Sequence, residues 1–265
     1  MKLFLVIILV TMLVPLCGAQ EKTEDLEHVS PKRLFSRGND YYEKGEYQKA
    51  IDEYQKVISR GYESGPLCYN MGDAYFKSGK LGMAILNYER ATYIMPRDAD
   101  LKANYRFARE MVKGKPIKGK GIWQWRHIRM IITNFTINEL TWLSSTMYIL
   151  ILILMSLAIV RPNMNRKLSI VAVICFLFMV FNIVVIWKKV GDMKTGAITI
   201  AREPDALFGP FDTATKFFTL YEGNPVNILK AKDDWYKVRR ADGKIGWIKK
   251  NDVERIYTKG KSSGY

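Results

Sequence analysis

Residues 38–54, GNDYYEKGEYQKAIDEY, return thirty-four residues later as residues 72–88, GDAYFKSGKLGMAILNY. Gly38 lands on Gly72, Tyr42 on Phe76, Gly45 on Gly79, Ala50-Ile51 on Ala84-Ile85 and Tyr54 on Tyr88. A thirty-four-residue period with Gly, Tyr, Gly, Ala and Tyr at fixed offsets is the mark of stacked helix–turn–helix units. Gly38 and Gly72 allow the two helices of a unit to approach closely, and Gly45 and Gly79 break the chain between them. Small Ala50 and Ala84 seat the second helix on the first, while Tyr54 and Tyr88 fill the space between units. Working outward, helices are expected over 32–44, 47–59, 66–78 and 81–93. Pro96-Arg97-Asp98 stops one helix and caps another. Beyond it, Leu101, Tyr105, Ala108 and Met111 recur at helical spacing and predict a terminal helix, within 97–113, covering the open end of the stack. Two units and a cap make a short array, so added stability is expected from a partner, a second copy or the membrane-side segment.

This pattern over 31–96 resembles the tetratricopeptide repeat, with Pro96 where that family ends a repeat. The resemblance implies an inner face built from the first helix of each unit. Its lining here would be Phe35, Asn39, Tyr42, Tyr69, Asp73 and Phe76, with Asn70 adjacent. Aromatic rings interleaved with amide and acid groups suit an extended peptide or a partner helix. Packing between helices is the plainer use of the same rings, and both readings stand. Some domains of this family grip a C-terminal carboxylate with Lys, Asn and Arg. Asn39 and Asn70 stand at matching positions, but Phe35 replaces the Lys and no third full repeat supplies the rest.

The chain of 265 residues carries 41 Lys and Arg against 26 Asp and Glu, a net charge of +15. Much of the excess falls in a linker and beside apolar stretches, which points to a membrane surface rather than nucleic acid. Cysteine is confined to Cys17, Cys68 and Cys175, so no disulfide framework is implied. Residues 1–19 have the grammar of a secretory signal: Lys2, an apolar core from Leu3 to Leu16, then Cys17-Gly18-Ala19. An uncleaved anchor fits the same residues. Lipidation at Cys17 is a third reading, opposed by Leu16 where bacterial lipoprotein signals have a small residue. Residues 20–30 read as a polar leader.

Residues 114–137 form a basic linker, which the run KGKPIKGK at 113–120 opens, followed by Trp123, Trp125, Arg126, Arg129 and Phe135. Alternating Trp and Arg before an apolar span suit the membrane interface, and His127 among them reads as a solvated residue. Two membrane helices are expected, over 138–161 and 168–187, joined by a cytoplasmic turn at 162–167 that carries Arg166 and Lys167. The flanks are basic too, so the exported N-terminus decides the orientation. Both water-soluble parts then lie on the exported face of a bacterial inner membrane, in the periplasm. Asn182 is the one strongly polar side chain of the second span and can bond to the first span or to a partner helix. With no acid, base or His within Leu140–Val160 or Leu168–Trp187, no ion pathway is indicated.

Over 195–258 the pattern turns to β, with alternating runs at 198–202, 217–221, 226–231, 235–239 and 245–248. Ala241-Asp242-Gly243 predicts a hairpin turn. The order of Leu220-Tyr221-Glu222-Gly223, Asp234-Trp235-Tyr236-Lys237-Val238, Gly246-Trp247-Ile248 and Asn251-Asp252-Val253 resembles a bacterial SH3-type barrel. The resemblance implies an aromatic groove for extended ligands, with Trp235 at the matching Trp and Tyr221, Phe208 and Phe211 on the same surface. Trp247 is expected in the barrel core or packed along a strand; Trp235 reads equally as groove or as such packing. Peptidoglycan-binding relatives exist, which makes a cell-wall ligand the rival to a protein ligand. Residues 259–265 read as a disordered tail.

Catalysis has no recognisable constellation: there is no GxSxG, HExxH, CxxC or P-loop, and His28 and His127 are the only imidazoles. The acidic pairs Asp98–Asp100 and Asp233–Asp234 read as a helix cap and a turn. No cofactor is expected. The fold class expected is a multidomain membrane protein: an α-helical solenoid, a transmembrane hairpin and an all-β SH3-like barrel. The order of these parts, with Ala84-Ile85-Leu86-Asn87-Tyr88-Glu89-Arg90-Ala91, Pro96-Arg97-Asp98 and Phe107-Ala108-Arg109, resembles the BatE-like proteins of bacterial aerotolerance (Bat) operons. That resemblance implies partners among neighbouring operon products, von Willebrand-type membrane proteins and a MoxR-type ATPase, and a role in envelope stress or oxygen tolerance. The functional expectation is a non-enzymatic scaffold held in the bilayer; the alternative is a peptidoglycan-binding protein acting through the barrel.

Overall fold

The computed structural model describes residues 29–114, 133–160 and 165–257. The signal and nearly all of the leader, most of the linker and interfacial segment, the first part of the turn between the spans, and the tail lie outside the described residues.

Five helices open the described chain: α1 (Pro31–Glu43), α2 (Tyr47–Ser59), α3 (Gly65–Lys77), α4 (Leu81–Ile94) and α5 (Ala99–Glu110). Pairs α1–α2 and α3–α4 are the two repeats. Gly45 and Gly79 take φ of +76° and +77°, the left-handed conformation that ends α1 and α3. Gly38 and Gly72 face the rings of Tyr54 and Tyr88; a Cβ at Gly72 would stand 2.7 Å from Tyr88. The glycines therefore make room for a buried tyrosine inside each pair, and both rings are essentially inaccessible.

The terminal helix continues the repeat. Ser64 caps α3 by accepting from Leu67 N–H at 3.3 Å, and Asp98 caps α5 by accepting from Leu101 N–H at 2.7 Å. Ser64 and Asp98, Leu67 and Leu101, and Ala74 and Ala108 are each thirty-four residues apart, so α5 is the first helix of a third unit that has no second helix among the described residues.

Helices α6 (Ile137–Val160) and α7 (Asn165–Thr195) form an antiparallel hairpin, each long and apolar enough to cross a membrane. Thr136 and Glu139 open α6 with a capping box: Glu139 N–H donates to Thr136 Oγ1 at 3.1 Å and Thr136 N–H to Glu139 Oε2 at 2.8 Å. Their apolar side chains are widely exposed, as a lipid-facing surface requires, while Leu140, Asn182 and Val185 turn inward. The expected second span ended at Trp187; the helix runs on to Thr195. The ammonium of Lys189 on that extension donates to the carbonyl of Phe135 and lies 5.8 Å over the ring of Tyr93 at the end of α4. Arg97, just after α4, pairs with Glu139. The repeats thus rest on the outer end of the hairpin.

From Thr195 the chain enters β1 (Gly196–Thr199) without a connecting loop, then β2 (Asp205–Leu207), β3 (Lys216–Thr219), β4 (Pro225–Lys232), β5 (Trp235–Arg240), β6 (Ile245–Lys249) and β7 (Val253–Arg255), a 3-10 turn at Lys250–Asp252 preceding the last. The order is β3-β2-β6-β5-β4-β1-β7, with antiparallel pairing throughout. Phe218, Leu220, Val226, Ile228, Val238 and Ile248 centre its core. The acidic pair at 233–234 makes the β4–β5 hairpin, Asp233 taking φ +45°, and Gly243 at φ +92° closes the β5–β6 turn. Strand β2 was not expected: three residues between Pro204 and Gly209 are too few to show a period.

Candidate partner-binding surfaces

The first surface is the face shared by α1, α3 and α5. Asn39 Oδ1 accepts from Tyr54 OH at 2.8 Å and from Asn70 Nδ2 at 3.0 Å. One repeat later, Asp73 Oδ1 accepts from Tyr88 OH at 2.5 Å and from Asn104 Nδ2 at 3.1 Å. Each acceptor ties the tyrosine of its own repeat to an asparagine on the next first helix. Three residues expected to meet a ligand, Asn39, Asn70 and Asp73, therefore hold the stack together. Burial pushes the Asp73 carboxyl up, partly offset by the bonds it accepts. The Tyr69 hydroxyl, which accepts from Asn104 at 2.9 Å, is pushed up to about 12 by burial and then by Asp73.

The rings remain at the surface. Phe35 tilts on Tyr54, Tyr42 meets Tyr47 edge-on, Tyr69 tilts on Tyr88, and Phe76 lies 5.8 Å from Phe107. All four expected rings are half-buried, and Phe107 on α5 is 56 % exposed. Phe107 and Asn104 extend the face beyond the two full repeats. Asn104 was legible as Asn70 plus thirty-four residues; Phe107 falls off the Leu101–Ala108 stripe and so had to point outward.

The second surface lies on the sheet. Phe208 is 62 % exposed, stacked 4.5 Å from Phe217, and Phe211 is 54 % exposed and folded over Gly209. Trp247, expected in the core or packed along a strand, is half-buried and points outward from β6 opposite Leu207 and Lys237. Trp235, which fitted groove and packing equally, takes the buried alternative at only 8 % exposed, with Lys249 5.7 Å over its ring. Tyr221 lies elsewhere, against Gly114 at the end of the repeat module. Of the four residues expected to line one groove, the structure brings Phe208 and Phe211 to this surface and sends Tyr221 and Trp235 away from it.

The two modules dock on each other through α4. Arg90 donates from Nε to the carbonyl of Ile256 at 2.8 Å and from its second terminal nitrogen to that of Arg255 at 2.9 Å. Glu222 accepts from the Gly82 N–H at 2.8 Å. Ile198 and Ile256 are buried in the core of the helices, and Gly223 sits against Ile85 and Val112. The β domain thus supplies the support that two repeats lack, covering second-helix α4 and, among the described residues, leaving the α1–α3–α5 face open.

Comparison with known families agrees with this division. Tetratricopeptide repeat models match residues 31–61 and 65–98, and the model of a bacterial SH3 domain matches residues 209–254. The chain carries tetratricopeptide repeats and a bacterial SH3 domain, folds associated with protein–protein interaction or peptidoglycan binding. No curated protein matches the chain. Strands β1 and β2 precede the SH3 match, and β1 is the strand that joins the sheet to α7.

Proposed function

We propose that this protein is a non-catalytic adaptor, anchored in a bacterial inner membrane by α6 and α7, that holds a partner protein on the α1–α3–α5 face in the periplasm. One observation carries the reading: α4 is consumed by the β domain while the aromatic face of the first helices is left uncovered, so the docked pair behaves as a single platform with its binding face outward. The hairpin supports anchoring, since both of its outer ends meet the soluble modules. The resemblance to BatE-like proteins supports partners among the membrane proteins of a Bat-type operon and a role in oxygen tolerance or envelope stress.

The test is site-specific photocrosslinking in native membranes with benzoylphenylalanine at Tyr42 or Phe76, followed by purification in mild detergent. A discrete membrane-protein adduct from the face, absent when the probe stands at exposed Lys56 on α2, is expected. Uniform labelling at all three positions, or no adduct at the face, overturns the adaptor. Retention of the intact protein on purified peptidoglycan, with no protein adduct, would select the cell-wall alternative instead.

A further inference from the structure

Along β2, β3 and β6 the usual alternation of a one-sided sheet is broken. Ala206, Phe218, Gly246 and Ile248 point into the core, which sends their neighbours outward. Those outward positions hold Leu207, Phe217, Ile245 and Trp247, where polar side chains belong on a solvated face. Phe208 and Phe211 extend the apolar area from the following loop. Contiguous apolar surface of this kind marks a docking site.

Its charge narrows the occupant. Lys244 Nζ stands 5.8 Å over the Phe217 ring and Lys237 Nζ 5.9 Å over Trp247. The neighbouring cations are already neutralised: Lys216 by Asp205, Arg240 by Asp242 and Lys249 by Asp212, each within 2.8 Å. Among the described residues, Lys237 and Lys244 have no carboxylate within ion-pair distance. Two ammonium groups over half-open rings, neither in a direct ion pair, favour a ligand with carboxylates spaced along an apolar strip. The strand that emerges from the apolar hairpin is β1, and β4 and β7 are its partners; the apolar face belongs to other strands, which favours a protein ligand over the lipid surface. Strand β3 ends the sheet order, so its free edge can accept an extended backbone beside the rings.

We propose that the outer face of β2, β3 and β6 binds an extended acidic segment of a partner protein, its apolar side chains on Phe208, Phe217 and Trp247 and its carboxylates on Lys237 and Lys244. This deepens the adaptor reading by giving the platform a second grip of defined chemistry. It differs from the sequence expectation, which centred the groove on Trp235.

The experiment is selection of a random twelve-residue phage-displayed peptide library against the full chain in nanodiscs of neutral lipid. Peptides enriched in Asp and Glu interleaved with apolar residues are expected. Their affinity should fall at least tenfold with Lys237→Glu plus Lys244→Glu, and at least tenfold with Phe208→Ser plus Phe217→Ser, with thermal unfolding of all variants unchanged. Peptides without acidic enrichment, or affinity indifferent to charge reversal, overturn the proposal. So does binding of these residues only to anionic vesicles, to purified peptidoglycan or to a second copy of the chain. Crosslinking at Tyr42 in the same variants reports the helical face separately, so loss of one grip is distinguished from loss of the adaptor itself.

Discussion

Gly82 offers a substitution whose sign inverts with docking. It lies in the first turn of α4, where Ala in place of Gly ordinarily stabilises a helix by up to about 1 kcal/mol. Here a Cβ would stand 2.6 Å from the carbonyl oxygen of Thr199 and 3.0 Å from the Cα of Ile200, both backbone atoms of the β domain. Restoring an ordinary contact of about 3.5 Å requires the two modules to part by roughly 1 Å. Such overpacking costs about 1–3 kcal/mol. The same movement stretches the bond between Gly82 N–H and Glu222, a charge-assisted contact worth about 1.5–3 kcal/mol when intact. The expected net result for Gly82→Ala is a loss of about 2 kcal/mol in docking, or about a thirtyfold shift toward the undocked state. Hydrogen exchange of the full chain in detergent should show the amide of residue 82, whose acceptor Glu222 lies across the interface, exchanging about thirty times faster. Gly191→Ala, where the added Cβ meets nothing within 4 Å, should leave it unchanged. Unchanged exchange with a raised melting temperature in Gly82→Ala would refute the docking geometry.

Arg90→Ala removes two bonds to the carbonyls of Arg255 and Ile256; discounted for a half-exposed group, the loss is about 2 kcal/mol, read as two separated transitions in calorimetry where the parent shows one. Asp73→Ala leaves Tyr88 OH and Asn104 without their acceptor and should lower stability by about 1–3 kcal/mol, whereas Asp73→Asn keeps an acceptor oxygen and should cost less, in denaturant titrations of the full chain. Because burial raises the Asp73 carboxyl above its unfolded value, the native state holds the proton more tightly; the parent should gain stability relative to Asp73→Asn as pH falls from neutral into the acid range, and a loss on acidification would contradict this. Trp235→Ala empties a buried site and should cost about 3–5 kcal/mol, while Phe208→Ser at an exposed ring should change melting by little; equal effects would mean the two rings are misplaced.

The helical part was legible because its constraints are local and repeated. A glycine opposite a tyrosine, a glycine with positive φ and a small residue at the helix crossing recur at one spacing, and each has one physical use. The same spacing carried the Asn39–Tyr54–Asn70 bonds onto Asp73, Tyr88 and Asn104. Lining residues were harder to judge, since an amide beside an aromatic can bind a ligand or tie two helices, and composition does not separate them. In the sheet the difficulty was parity. Ile245 and Trp247 share one face of β6, Gly246 and Ile248 the other, and size alone favours burying the first pair. The core takes the second pair because Phe218 and Ala206 fill the space over Gly246, where a Cβ would stand 3.2 and 3.0 Å from them. Strand β5 compounds this: Trp235 and Val238, an odd number apart, are both buried, and the β4–β5 register shifts between Ile228 and Lys230. Arg90 and Ile256, 166 residues apart, could not be joined by any periodic argument.

If the hairpin spans a bilayer as proposed, the path from it to the α1–α3–α5 face is continuous. Helix α7 passes into β1 with no intervening loop, β1 packs on α4 through Ile198, and α4 shares its tyrosine network with the open face through Tyr88 and Asp73. A second path starts at the other span, where Glu139 meets Arg97 between α4 and α5. A shift of one membrane helix against the other would therefore load the α4–β1 junction and the α4–α5 corner together, because neither module hangs on a free hinge at these points. Motion of a partner helix beside the hairpin would thus reach Asn104 and Phe107 on α5 before it could reach Phe35 on α1, at the far end of the stack. In that arrangement α5 is consequently the part of the face best placed to respond to the hairpin.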